Sequence, residues 1–169
     1  VDIIIPNYNK EKFINQTIRS VINQSFKNWK LHIIDDNSKD NSRSILEKYK
    51  SNKKIQIFYL KKNKGPAYCR NFGIKKSSSK MIAFLDSDDF WPKNKLKLQI
   101  NHMIKNNVSF SFTDYFSFYQ NEKNIKKIGM TNIQNKFNFK TFIKNSSINT
   151  STMIITRKIL KKIKFKNLK

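Results

Sequence analysis

Acidic side chains are scarce in this chain: its 169 residues hold 11 Asp and Glu against 35 Lys and Arg, a formal charge of +24. Cysteine is scarcer. Cys69 stands alone and closes no internal disulfide, and neither it nor His32 and His102 belongs to a cluster with zinc-ligand spacing. All three read as packing or surface residues. No apolar stretch approaches the roughly 18 residues needed to cross a bilayer, and no basic segment leads into an apolar core at the start. A soluble, cytoplasmic protein is expected. There is no proline-rich linker and no internal repeat, so the chain reads as one domain over 1–169, with 38% hydrophobic residues including 14 Phe, 6 Tyr and 2 Trp to build a core.

An excess of lysine invites two partner classes, a nucleic acid backbone and an anionic membrane surface. Lys, Asn, Ile and Phe are abundant together throughout, which reads as compositional bias, and acids at strand ends would meet the same phosphates as the lysines. No nucleic acid partner is expected. The exception is the end of the chain, where Arg157, Lys158, Lys161, Lys162, Lys164, Lys166 and Lys169 alternate with Ile159, Leu160, Ile163, Phe165 and Leu168. That stretch reads as a solvated helix face beside core residues, with peripheral contact at the inner face of the membrane as the alternative.

Apolar runs alternate with helical periodicity through the first hundred residues. Strands are expected at Val1–Ile5, Lys30–Ile34, Ile55–Leu60 and Met81–Leu85, and helices at Glu11–Gln24, Asn41–Tyr49, Pro66–Lys75 and Pro92–Ile104. This alternation predicts an α/β fold: a mostly parallel central sheet with helices on both faces, whose ligands bind at the carboxyl ends of strands. Farther along, Val108–Tyr119 reads as one long or two short aromatic-rich strands and Asn121–Asn138 as a polar loop. A short helix over Phe139–Lys144, a strand over Thr152–Ile155 and a basic helix from Arg157 complete the reading.

Six of the eleven acids fall in two clusters, Asp35-Asp36 with Asp40 and Asp86-Ser87-Asp88-Asp89, each directly after a predicted strand. Carboxylates crowded three within four residues repel one another unless a cation lies between them, and a divalent ion with hard oxygen ligands meets that need. The competing reading of Asp86–Asp89 is a surface turn in which Asp89 caps a helix beginning near Trp91. A cap needs one acid, not three. For Asp35–Asp40 an ordinary Asx turn is an equal alternative. Asn63-Lys64-Gly65-Pro66-Ala67 opens a helix containing Arg70-Asn71, a favourable place for phosphate.

Taken in order, Ile3-Ile4-Ile5-Pro6-Asn7-Tyr8-Asn9, Ile33-Ile34-Asp35-Asp36-Asn37-Ser38-Lys39-Asp40, Asn63–Ala67 with Arg70-Asn71, and Phe84-Leu85-Asp86-Ser87-Asp88-Asp89 resemble the family 2 glycosyltransferases of the GT-A fold. The resemblance covers residues 1–105, the nucleotide-sugar-binding half, and Asn149–Ile154 looks like the family's acceptor-side segment within 106–169. It implies a Rossmann-like three-layer α/β/α sandwich and a metal-dependent, inverting sugar transfer, from a nucleotide-diphosphate sugar, expected to be a UDP-sugar, to a glycan, lipid-linked or protein acceptor in cell-surface glycan synthesis. By the same resemblance Pro6 and Tyr8 flank the base and ribose, Asp36 hydrogen-bonds the base, Arg70 lies near the diphosphate, Asp86 contacts the ribose, and Asp88 ligates Mn²⁺ or Mg²⁺.

One family requirement is not met. Inverting members use a carboxylate base from an acidic motif well past the metal motif, and here the only acid after Asp114 is Glu122, which matches no such motif. Asp114 is expected in the donor or acceptor pocket instead. The catalytic base is expected beyond Lys169, in keeping with a chain that begins at Val1 inside its first strand, and the alternative is a non-catalytic nucleotide-sugar-binding module. The chain should bind donor better than it turns it over. Robust product formation by the purified chain, abolished by Glu122→Gln, would overturn that expectation.

Overall fold

The computed structural model describes residues 1–120, 125–131, 148–161 and 164–166. In chain order the elements are β1 (Asp2–Asn7), α1 (Ile14–Ile22), β2 (Lys30–Asp35), α2 (Ser42–Glu47), β3 (Ile55–Tyr59), α3 (Pro66–Lys76), β4 (Met81–Phe84), α4 (Lys95–Lys105), β5 (Phe110–Ser111), β6 (Tyr115–Gln120), β7 (Ile125–Thr131), a 3₁₀ turn at Thr150–Thr152, β8 (Ile154–Thr156) and α5 (Arg157–Leu160). Six strands form one sheet in the order β3-β2-β1-β4-β8-β5. β3, β2, β1 and β4 are parallel, whereas β8 runs antiparallel to both β4 and β5. The mostly parallel α/β sandwich expected from the sequence is what forms.

Its strands are covered on both sides, which is why β1 reads as a continuous apolar run and is buried at every position. On one face Ile3, Ile5, Leu31, Ile33 and Leu85 pack against α1, α2 and α4. The apolar stripe Ile14, Ile18, Val21 on α1 has the helical spacing that this burial requires. On the other face Ile4, Ile34, Ile82 and Phe84 meet Cys69 of α3 and Leu160 of α5. Among the described residues of the basic C-terminal stretch, Ile159, Leu160 and Phe165 thus serve the core: Phe165 lies edge-on to Phe84 at 5.0 Å between ring centres. At the amino end of β1 the buried Asp2 carboxylate accepts the Ser78 and Ser79 amides and the Ser79 hydroxyl, fixing the turn between α3 and β4.

Besides the shorter span of α1, which starts at Ile14 rather than Glu11 and ends at Ile22, the structure departs from the expected elements in three places. α4 starts at Lys95 rather than Pro92, and Asp89 does not cap it. Gln24, at the end of α1, supplies the cap from another element: its Oε1 accepts from Leu96 N at 3.0 Å and its Nε2 donates to Pro92 O at 2.8 Å. Second, Asn121–Asn138 is not all loop, because β7 pairs antiparallel with β6. The register slips opposite Ser117/Phe118, so Ile128 has no partner and the alternation of Ile125, Ile128 and Met130 is broken. Third, β8 begins two residues later than expected, after the 3₁₀ turn. The expected helix over Phe139–Lys144 lies outside the described residues.

α3 approaches the sheet closely because Gly73 faces it. A Cβ there would stand 2.6 Å from Ile4 Cγ2 and 3.0 Å from Ile34 Cδ1. Overpacking of this kind costs about 1–3 kcal/mol, against the roughly 1 kcal/mol that Ala gains over Gly inside a helix. Gly73→Ala should therefore destabilise the fold, read as a lower urea midpoint at unchanged slope.

Candidate functional site

The carboxyl ends of β1, β2 and β4 and the start of α3 enclose a cleft of about 460 Å³. Pro6, Tyr8, Asp36, Arg70, Asp86 and Asp88 all line it. The six residues singled out in the sequence thus come together, from segments separated by up to 82 positions (88 − 6).

The two neighbouring acids of the first cluster do different work. Asp35 is fully buried. Its carboxylate accepts from Asn7 Nδ2 at 3.0 Å, Ser38 N at 3.2 Å and Arg43 Nε at 2.8 Å. Asn37, in the left-handed region at φ 65°, turns the chain so that Ser38 N reaches back to it. Asp36 faces the cleft, where its two oxygens each accept one backbone amide, Lys64 N and Gly65 N, both at 2.8 Å. Gly65 delivers those amides at φ 83°, a conformation glycine adopts without strain. A carboxylate has about four acceptor sites, so Asp36 keeps capacity for a ligand donor.

Arg70 projects from the first turns of α3. Its Nη2 donates to Asp86 Oδ1 at 2.6 Å, its guanidinium carbon lies 5.5 Å from the centre of the Phe165 ring, and its buried Nε has no partner among the described residues. An aromatic shelf and a carboxylate hold the fork in place and leave donors for an anion. Cys69, beside it, lines the cleft with its thiol pushed up to about 12, first by burial and then by the Asp36 carboxylate. It is therefore a neutral wall, as its packing reading implied.

In the second cluster Asp88 is the open member, and Lys10 Nζ stands 2.7 Å from its Oδ2. Asp89 turns inward: Ser151 Oγ donates to its Oδ2 at 2.5 Å and accepts from Asp86 N at 2.9 Å. Burial raises the Asp89 pKa, the Ser151 hydroxyl pulls it down, and the Asp86 and Asp88 charges push it up again. The Asn149–Ile154 segment is thereby tied to the acid loop, with Asn149 Oδ1 accepting from Ser151 N at 2.8 Å. Asp114 is exposed and is not among the residues lining this cleft, so the expected pocket role finds no support there. Glu122 lies outside the described residues.

Sequence reasoning missed Lys10 and Ser151. One lysine among so many carries no signal, although its place three residues past the end of β1 could have raised it. Ser151 lies in the Asn149–Ile154 segment that the sequence singled out, but its own role is invisible because the partners of its hydroxyl, Asp86 and Asp89, lie more than 60 residues away.

The burial contrast between the acids can be measured. Removing one partner of a buried, hydrogen-bonded charge costs about 3–5 kcal/mol, so Asp35→Ala should lower unfolding free energy by roughly that much. The exposed Lys10–Asp88 pair is worth about 0–1 kcal/mol, and Asp88→Asn should leave the urea midpoint nearly unchanged.

Comparison with known proteins agrees with this geometry. The family model for glycosyl transferase family 2 matches residues 2–166. The Escherichia coli UDP-Glc:alpha-D-GlcNAc-diphosphoundecaprenol beta-1,3-glucosyltransferase WfgD is 37% identical over 165 residues, 98% of this chain and 63% of that protein. A glycosyltransferase of Haemophilus influenzae is 35% identical over 170 residues, 100% of this chain and 67% of its own length. The chain thus spans about two thirds of these relatives. Among solved structures, S. aureus TarS 1–349 in complex with UDP-GlcNAc superposes with a TM-score of 0.61 at 29% identity, covering 64% of this chain and 32% of that one. The Pyrobaculum calidifontis mannosyltransferase PcManGT, in complex with GDP-Man and Mn²⁺, has a TM-score of 0.70 at 13% identity over 95% of this chain and 45% of its own, a likeness of fold alone. With the family model matched from the first strand through Lys166, the chain belongs to glycosyl transferase family 2.

Proposed function

We propose that the cleft binds a nucleotide-diphosphate sugar, a UDP-sugar before others, and that the protein transfers the sugar with inversion to an acceptor hydroxyl in the building of a cell-surface glycan. The observation that carries this reading is the convergence of Pro6, Tyr8, Asp36, Arg70, Asp86 and Asp88 on one cleft at the carboxyl ends of parallel strands. Pro6 and the half-exposed Tyr8 ring flank the base and ribose. Asp36, held by two amides, takes a base N–H as a further donor. Arg70 lies near the diphosphate, and Asp86 contacts the ribose. The TarS complex with UDP-GlcNAc supports uridine as the base. The lipid diphosphate in the WfgD name favours a lipid-linked acceptor over a free glycan or a protein.

The donor set suits a divalent ion. Asp88 offers hard oxygens in an open cleft, beside Asp86, and already attracts a cation in the Lys10 ammonium. Among the described residues no group of three or more His, Cys, Asp or Glu converges on one point. The protein would thus supply only part of a coordination shell, as suits Mg²⁺ or Mn²⁺ completed by substrate phosphates and water. A bound ion neutralises charge developing on the departing diphosphate. In the transfer the acceptor oxygen bonds the anomeric carbon as the bond to the diphosphate oxygen breaks, and the acceptor proton passes to a base. Of the carboxylates lining the cleft, Asp36 is held by amides, Asp86 by Arg70 and Asp88 by Lys10. That engagement favours a second reading, a nucleotide-sugar-binding module without transfer.

Calorimetric titration of UDP and of GDP, with and without Mn²⁺, tests the donor site that both readings share, and product formation from a UDP-sugar separates transfer from binding alone. UDP should bind more tightly than GDP and more tightly with metal. Asp88→Asn should remove the metal-dependent part, a loss of at least the roughly 10–100-fold typical of mutations that merely support a metal ligand. Equal binding of both nucleotides, indifferent to metal and to Asp88, would refute the donor assignment.

A further inference from the structure

One half of α4 faces away from the sheet. Lys95, Leu96, Gln99, Ile100 and Met103 are buried, while Lys97, Leu98, Asn101, Ile104 and Lys105 are exposed. Leu98 is 68% exposed and Ile104 66%, whereas no other exposed large apolar residue among those described exceeds 44%. Lone exposed leucines are ordinary on soluble proteins. Here the two most exposed of the seven such residues among those described, Leu98 and Ile104, lie on the same helix. The six-residue step from Leu98 to Ile104 places them about 120° apart around the helix and about 9 Å apart along it. Lys97 and Lys105 adjoin them.

Charge over the same stretch has one sign. From Phe90 to Thr113 there is no Asp or Glu, and Lys93, Lys97 and Lys105 are all exposed. We propose that this outward half of α4 docks on an anionic lipid bilayer. Leu98 and Ile104 enter the boundary between headgroups and acyl chains, and Lys93, Lys97 and Lys105 meet the lipid phosphates. A protein partner fits less well, since interface hot spots centre on Trp, Tyr and Arg and this half of the helix carries none. Flexible aliphatic chains set among lysines suit a fluid, negatively charged boundary. The acid loop that carries Asp86 and Asp88 precedes α4 in the chain. The surface itself is independent of what the cleft binds.

A chain of charge +24 will be drawn to any anionic vesicle, so the test must be charge-matched. The protein is sedimented with vesicles of phosphatidylcholine alone, or of equal parts phosphatidylcholine and phosphatidylglycerol, at low and high salt. Binding should require phosphatidylglycerol. Lys93→Gln/Lys97→Gln/Lys105→Gln should weaken it roughly a hundredfold. Lys30→Gln/Lys48→Gln/Lys53→Gln removes the same charge from exposed positions elsewhere and should weaken it less than about fivefold. Leu98→Gln/Ile104→Gln should abolish the part that survives high salt. Equal losses in the two lysine variants, no effect of the Leu98/Ile104 change, or no vesicle binding at all would overturn the proposal. UDP titration of each variant reports an intact cleft, so a failure of docking is read separately from a failure of donor binding.

Discussion

A carboxylate that never meets solvent organises the mouth of the cleft. Asp35 sits at the end of β2, and burying its charge is tolerable only because Asn7, Ser38 and Arg43 surround it with donors. Those donors come from the end of β1, the following turn and the start of α2. One desolvated charge therefore ties three segments together. Its neighbour Asp36 faces the other way as a result and holds the loop before α3 by two amides. The cleft is thus built from the inside outward, a buried anion fixing the backbone that presents an accessible one.

The same division recurs in the second cluster. Asp89 turns inward to Ser151, Asp86 is paired with Arg70, and Asp88 faces the opening with a lysine in reach. Acids that look equivalent in a row are sorted by their partners into structural and accessible positions. With so few acids in the chain, nearly every one of them has a defined place: Asp2 seals the opposite end of β1, and Asp40 accepts Glu11 N and Ser42 N between α1 and α2.

Much of the fold was legible because its information is local. Buried parallel strands are continuous apolar runs, α1 shows its stripe, and Gly65-Pro66 announces α3. The cleft was legible too, since strand ends and acid clusters coincide in sequence. What escaped has distant causes. The start of α4 depends on Gln24, 72 residues before Leu96; the capping chemistry visible nearby, at Asp89, is used for something else. β7 was hidden by its bulge, which breaks the alternation that marks a strand. Lys10 and Ser151 act only through residues far along the chain, and Lys10 is further masked by the abundance of its own kind.

Helix α1 bears a row of polar side chains on the flank toward the acid loop. Thr17 donates to Ser87 O, Ser20 accepts from Trp91 N, and Gln24 bridges Pro92 and Leu96. Spaced about a turn apart along α1 and the turn that ends it, they stitch that loop down along its length. The cleft therefore has one stationary jaw. The opposite jaw, the stretch before α3, is held by different means, among them the grip of a single aspartate on two amides.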